Sequence, residues 1–126
     1  MGKPEKDVSQ TLEEFLGYIE ECRQRYKEAN EAMNLEDRRL QDVLHEMEFS
    51  RDENEERRVG RKIKRSRRAR RRNKDEVARL KPIVSFFAIP ANKEMLNKMR
   101  KLIQDQKREE ENLKRERVYK PRVKDE

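Results

Sequence analysis

The chain is poor in several kinds of residue that globular and secreted proteins use. Among its 126 residues there is one cysteine, three glycines, four prolines and no tryptophan. The lone Cys22 cannot form an internal disulfide, which fits a reducing compartment. No run alternates polar and apolar residues as a half-buried strand does, so a β-sheet is not expected. Apolar residues make up 32% of the chain and charged residues 48%, which excludes a wide globular core.

Long apolar segments and catalytic motifs are also lacking. No apolar run approaches eighteen residues and no signal-peptide core is present, so we expect neither membrane insertion nor export. No Gly-rich phosphate loop, metal-ligand cluster or nucleophile–base pair occurs, so we expect no enzymatic activity, no catalytic residues, no metal site and no cofactor. Cys22 is expected to be a buried structural thiol, and His45 an exposed residue without a metal.

A heptad pattern of apolar residues predicts a long first helix. It is interrupted once, at Glu36, which we expect to meet Ser66 or Arg70 of a second helix and to set the register. Thr11 and Glu14 match a capping box at the start of this helix. The apolar positions of the pattern are Leu12, Phe15, Ile19, Cys22, Tyr26, Ala29, Met33, Leu40, Val43 and Met47.

A second heptad pattern, from Val59 to Phe87, predicts a second helix that runs antiparallel to the first. Ser50 and Glu53 match another capping box, so a tight turn is expected near residues 48–54. Pro82 lacks the N–H group that a helix interior uses, and we expect a bend or a break just before it.

The third predicted helix begins after Asn92, which is a suitable N-cap. Packed on the second helix, it would carry Glu109, Glu110 and Glu111 towards Arg70–Arg72. The predicted fold is all-α: a long antiparallel, coiled-coil-like helical hairpin with a third C-terminal helix packing at its base. We expect a flexible N-terminus over 1–10 and a single helical domain over 11–117, with helices at about 11–49, 52–88 and 93–117. A basic extended tail is expected over 118–126.

The most basic stretch of the chain, Arg57–Lys74, reads RRVGRKIKRSRRARRRNK and is called the basic segment below. Twelve of its eighteen residues are Lys or Arg and none is acidic. One face of a helix cannot hold so many cations, so they lie on every side. Residues 1–50, by contrast, carry 13 acidic and 7 basic residues. The segment therefore needs counter-charges, either from nucleic-acid phosphates or from carboxylates of this chain or a partner.

The first hypothesis is a non-enzymatic accessory protein that binds nucleic acid, DNA in the first place, through the basic segment. Contacts to the phosphate backbone carry no sequence information, so low sequence specificity is expected. Tyr119 in the tail is placed to stack on a base. The predicted contacts are Arg61, Arg65, Arg68, Arg71, Arg72 and Lys74 of the basic segment, with Tyr119, Lys120 and Arg122 of the tail.

The alternative is a helical protein–protein interaction module, an inhibitor or assembly factor that docks on an acidic or helical partner. This hypothesis requires the arginine run to be largely paired by the chain's own glutamates. Salt bridges from Glu28, Glu31 and Glu109–Glu111 would therefore favour it.

The apolar positions of the first helix also predict self-association. The second helix is polar in its middle and is expected to leave Tyr26, Ala29 and Met33 poorly covered. Apolar surface left in water forfeits about 25 cal/mol for each square ångström that could be buried. We therefore expect a homo-oligomer, a dimer or larger, that Met33→Glu weakens.

Three stretches, LQDVLHEMEF, RRARRRNKDEVARLKPIVSFF and RVYKPRV, carry a resemblance that covers residues 38–123. The chain resembles small helical accessory proteins of phages and prophages of Gram-positive bacteria. The resemblance implies a cytoplasmic setting in a bacterium or a phage-infected host. The run KIKRSRRARRRNK also matches a nuclear-localisation signal, which makes the nucleus the minor alternative. It also implies a role in DNA handling or in inhibition of a host protein, and it assigns no site residue.

Overall fold

The computed structural model describes residues 5–115, and these form three α-helices. Helix α1 spans Val8–Glu48, α2 spans Glu53–Ala88 and α3 spans Pro90–Arg115. The described chain divides into two compact units, one made of Ile19–Phe87 and the other of residues 5–18 and 88–115. The predicted all-α fold with a helical hairpin and a third helix is confirmed.

The unit Ile19–Phe87 is an antiparallel hairpin of α1 and α2. Side-chain pairs join the two helices in opposite chain order: Arg25 with Glu76, Glu36 with Ser66, and Glu46 with Lys62. The hydrogen bond to the Glu76 carboxylate is the main cause that raises the pKa of Arg25 above its ordinary value. The antiparallel pairing expected from the two heptad patterns is therefore confirmed, and of the two partners expected for Glu36, Ser66 and Arg70, the structure shows Ser66.

The interface between α1 and α2 is apolar towards its ends and polar in the middle. Its buried apolar residues are Ile19, Cys22 and Ala29 of α1, with Val59 and Leu80 of α2. Ala29 is only 5% exposed, so the expectation that α2 leaves it poorly covered is wrong. A methyl group as small as that of Ala29 is covered by the close approach of the facing helix. Tyr26 and Met33 are partly buried.

The second unit pairs the beginning of α1 with α3, again in antiparallel order. Successive contacts are Asp7 with Lys114, the Ser9 N–H group with Glu110, and Glu13 with Lys107. Leu96 and Ile103 of α3 are buried. Phe15, which the heptad pattern assigned to the interface, is 49% exposed. On a straight helix a heptad position drifts by about 20° per heptad. Phe15 lies two heptads before Ala29, so it is turned partly away from the face on which Ala29 is buried.

Two helices begin three residues earlier than predicted. The Asp7 carbonyl accepts hydrogen bonds from the N–H groups of Gln10 and Thr11, so α1 starts at Val8 and the predicted Thr11–Glu14 cap is wrong. The Ile89 carbonyl accepts in the same way from Asn92 and Lys93, and α3 starts at Pro90. Proline suits the first helical position, since its missing N–H group would have no intrahelical partner there.

Helix α2 is capped by Asp52 and not by Ser50. The Asp52 carboxylate accepts a hydrogen bond of 2.8 Å from the Glu55 N–H group. The Ser50 hydroxyl instead donates to the Glu46 carbonyl, 3.3 Å away, at the end of α1. An ionised side chain at the N-cap also favours the positive end of the helix dipole. Pro82 lies inside α2, which is continuous, so the alternative of a break is wrong.

Candidate nucleic-acid interface

Ten Lys and Arg side chains lie between Arg61 and Lys74 of α2, and two of them pair with α1. The Lys62 ammonium lies 3.1 Å from the Glu46 carboxylate, and the Arg70 guanidinium lies 2.7 Å from the Asp37 carboxylate. Both cations are partly buried. These two ion pairs neutralise the two cations that flank the interface with α1.

The other eight cations are exposed, and the structure gives their side chains no ion pair or hydrogen bond within residues 5–115. They are Arg61, Lys64, Arg65, Arg67, Arg68, Arg71, Arg72 and Lys74. Eight uncompensated positive charges over fourteen residues of one helix make this surface strongly attractive to a polyanion.

The direction in which these side chains point is set by Ser66. Its hydroxyl donates a hydrogen bond of 2.9 Å to the Glu36 carboxylate, and both residues are buried. Ser66 therefore faces α1. Lys62 and Arg70, four residues before and after it, lie at the two edges of the interface, because each step along a helix rotates by about 100°.

The exposed cations form two rows. The first, called the Arg61 row, lies on the same side of α2 as Lys62, and the second, called the Lys64 row, lies on the same side as Arg70. Spacings of three and four residues keep each row on one side of the helix. The Arg61 row is Arg61, Arg65, Arg68 and Arg72. The Lys64 row is Lys64, Arg67, Arg71 and Lys74.

Each row borders a depression of the hairpin surface. An open groove of about 630 Å³ runs between α1 and α2 beside Arg65, Arg68 and Arg72. Arg39 of α1 also lines it, with its guanidinium 2.9 Å from the Glu36 carboxylate. A smaller depression of about 380 Å³ lies around Gly60 beside the Lys64 row. Both depressions are open to solvent and have cations in their lining, and Glu36 and Asp42 also line the groove between the helices.

All six predicted contacts in the basic segment belong to the eight exposed cations. The sequence analysis missed Lys64 and Arg67 in α2, and Arg39 across the groove. The signal for Lys64 and Arg67 was present, because an inward Ser66 turns Arg67 to the side of the helix and Lys64 away from α1. Arg39 could not be identified from the basic segment alone, because its place beside the groove depends on how α1 packs against α2. The predicted tail contacts Tyr119, Lys120 and Arg122 lie outside the described residues.

Three of the five glutamates that the alternative function would use as counter-charges have other partners. Glu28, Glu110 and Glu111 accept hydrogen bonds from Gln24, Ser9 and Arg115, respectively. These three hydrogen bonds give no support to the pairing with Arg65–Arg72 that the alternative function requires. For Glu110 the reason is the start of α1, whose free N–H groups and positive dipole end attract a carboxylate.

The remaining candidate groups show ordinary structural environments. Cys22 is 1% exposed, as its inward heptad position predicted. His45 is exposed and lies 3.6 Å from the Glu48 carboxylate. Residues 5–115 contain no group of three or more His, Cys, Asp or Glu side chains that could hold a metal ion. No helix in this described range combines the length and the apolar character needed to cross a membrane.

Comparison of the chain with protein-family models, with curated proteins and with solved structures finds no match.

Proposed function

We propose that the protein is a non-enzymatic accessory protein that binds nucleic acid, with DNA as its ligand, through the exposed cations of α2. The observation that supports this proposal is that eight of ten cations between Arg61 and Lys74 have no counter-charge in the described part of the chain. A helix of this kind attracts phosphates at long range and releases their condensed counterions on contact.

The energetics of the isolated helix point the same way. Like charges four residues apart on a helix each destabilise it by about 0.2–0.5 kcal/mol. The exposed cations contain four such pairs: Arg61–Arg65, Lys64–Arg68, Arg67–Arg71 and Arg68–Arg72. A sequence under selection for stability alone would place glutamate at some of these positions. A bound polyanion supplies the missing negative charge and relieves the repulsion.

Low sequence specificity follows from the kind of side chain exposed. Lys and Arg contacts to phosphates fix position and orientation but do not distinguish one base pair from another. Tyr119, Lys120 and Arg122 remain part of the proposal as further contacts, with Tyr119 stacking on a base.

The direct test is binding of a labelled DNA duplex to the full chain across a salt series. Binding is expected at low salt and is expected to weaken steeply as salt rises. A control variant replaces the exposed lysines Lys81, Lys93, Lys98 and Lys101 by Gln. It removes four positive charges that belong to neither row. Absence of binding at low salt, or binding that does not depend on salt, would contradict the proposal.

The alternative function, a module that docks on an acidic or helical protein, requires a largely paired arginine run. Only Lys62 and Arg70 of the ten cations between Arg61 and Lys74 are paired within residues 5–115, so the structure favours nucleic acid over this alternative. A pull-down from a bacterial lysate separates the two. A partner that disappears after nuclease treatment supports nucleic-acid binding, and a protein retained after that treatment supports the alternative.

The cellular setting is a further part of the proposal. On the resemblance to accessory proteins of phages and prophages, we place the protein in the cytoplasm of a bacterium or of a phage-infected host. Fractionation of expressing cells, followed by detection of the chain in the soluble and nucleoid fractions, tests this placement.

A further inference from the structure

The Arg61 row and the Lys64 row lie about 120° apart around the outer face of α2 and do not form one flat surface. Relative to the direction of Ser66, which faces α1, each row lies about 120° round the helix, one on the Lys62 side and one on the Arg70 side. A single line of phosphates can contact one row, or the outer face of the helix between the rows, but not both rows fully. Both are engaged together only if the polyanion rises on both sides of the helix.

Duplex DNA offers such a shape. An α-helix with its side chains is about 10–12 Å across. The major groove of B-form DNA is about 12 Å wide and admits a helix, whereas the minor groove is about 6 Å wide. The major groove of A-form RNA is deep and too narrow for side chains to enter. Phosphates line both edges of the B-form groove, one strand on each side.

From this match we infer that α2 lies in the major groove of B-form duplex DNA, with the Arg61 row on the phosphates of one strand and the Lys64 row on those of the other. The inference rests on the proposed function and specifies the ligand of the same surface. Helix α1 covers only the face of α2 around Ser66, so it stays outside the groove. Lys64 and Arg68 are the members of the two rows that point most directly away from α1.

Chemical footprinting of the full chain on duplex DNA tests the location. Dimethyl sulfate methylates guanine N7 in the major groove and adenine N3 in the minor groove. Protection of guanine N7 with unchanged reaction at adenine N3 is the expected result. Affinity for the DNA duplex should also exceed that for an RNA duplex of the same sequence by at least about tenfold at equal salt.

Row variants test whether both sides of the helix are used. If all eight cations of α2 contact phosphates, they contribute about −7 to the slope of log K against log salt, and loss of either row removes about half of that contribution. One variant changes Arg61, Arg65, Arg68 and Arg72 to Gln, and the other changes Lys64, Arg67, Arg71 and Lys74 to Gln. Gln has nearly the helix propensity of Arg and Lys, so helical content should persist. The variant of Lys81, Lys93, Lys98 and Lys101 should keep the full slope.

The failures of the two proposals are distinguishable. Absence of salt-dependent binding to any nucleic acid overturns the proposed function itself. Salt-dependent binding overturns only the major-groove inference if guanine N7 stays reactive, if DNA and RNA duplexes bind equally, or if one row carries the whole slope. The footprint uses only the wild-type chain, so the inference can still be contradicted if a row variant fails to fold.

Discussion

The Ser66 hydroxyl lies 2.9 Å from a carboxylate oxygen of Glu36, and both residues are buried between the two helices of the hairpin. This polar pair interrupts an otherwise apolar interface. A single polar position of this kind selects one register, because a slip leaves the carboxylate oxygen that faces Ser66 without its donor, while Arg39 of α1 serves the other oxygen. The register in turn decides that Lys62 and Arg70 meet α1 and that the other eight cations between Arg61 and Lys74 face outward.

Ser66→Ala is expected to lower the free energy of unfolding by about 1–3 kcal/mol, since it leaves a buried acceptor without its hydroxyl donor. The double variant Glu36→Leu with Ser66→Ala should recover most of this loss, because a buried polar pair can be replaced by apolar residues at little cost. Urea unfolding followed by circular dichroism measures both. A single variant as stable as the wild type would show that the pair does not hold the hairpin.

Glu110→Ala is expected to lower the free energy of unfolding by about 1 kcal/mol, because the carboxylate of Glu110 caps the Ser9 N–H group at the start of α1. Glu109→Ala is the matched control, since Glu109 is exposed and the same charge is lost. Its effect should stay within about 0.5 kcal/mol. Equal losses for the two variants would mean that the cap contributes nothing beyond charge.

Replacing the Arg61 row by Gln is expected to leave the free chain as stable as the wild type or more stable, by up to about 1 kcal/mol. The change removes repulsion between like charges at Arg61–Arg65, Lys64–Arg68 and Arg68–Arg72. Thermal unfolding at low salt without nucleic acid measures it. A loss of stability would indicate that these arginines are structural and would weaken their assignment to ligand binding.

The chain is expected to self-associate, although the reason differs from the one that the sequence suggested. Ala29 is buried by α2, whereas Val8 and Phe15 of α1 and Met95 and Leu102 of α3 are each about half exposed. Light scattering at tens of micromolar should give a mass at least twice that of the chain, and Leu102→Glu should lower it. A mass near 15.5 kDa for the wild type would show a monomer.

The hairpin and its register were predictable from the sequence because they depend on periodic burial. Ile19, Cys22 and Ala29 recur at heptad spacing, and the one acidic interruption at Glu36 falls opposite the polar middle of the second pattern. The sequence left Ser66 and Arg70 as possible partners of Glu36, and the structure shows Ser66.

Helix starts were not predictable to the residue, because several nearby residues can cap a helix and small local energies decide between them. Both Ser50 and Asp52 stand three residues before a glutamate, and only the structure shows that the Asp52 carboxylate is the group that accepts the hydrogen bond from the Glu55 N–H group. The same limit applies to Thr11 and Asn92.

The candidate site was predictable in its residue type and in most of its members, since twelve cations in eighteen residues cannot all be paired. Its division into two rows was not, because that depends on which cations the facing helix takes up. Asp37 and Glu46 form ion pairs with Arg70 and Lys62, respectively, whereas Lys64 and Arg67 stay exposed.

The measurement that tests the central claim most directly is the affinity of the full chain for a labelled DNA duplex between about 50 and about 200 mM salt. With eight phosphate contacts the account predicts a loss of about 10⁴-fold in affinity across this range, and a much smaller loss when either row is replaced by Gln. An affinity that changes by less than about tenfold, or an unchanged salt dependence in both row variants, would contradict it.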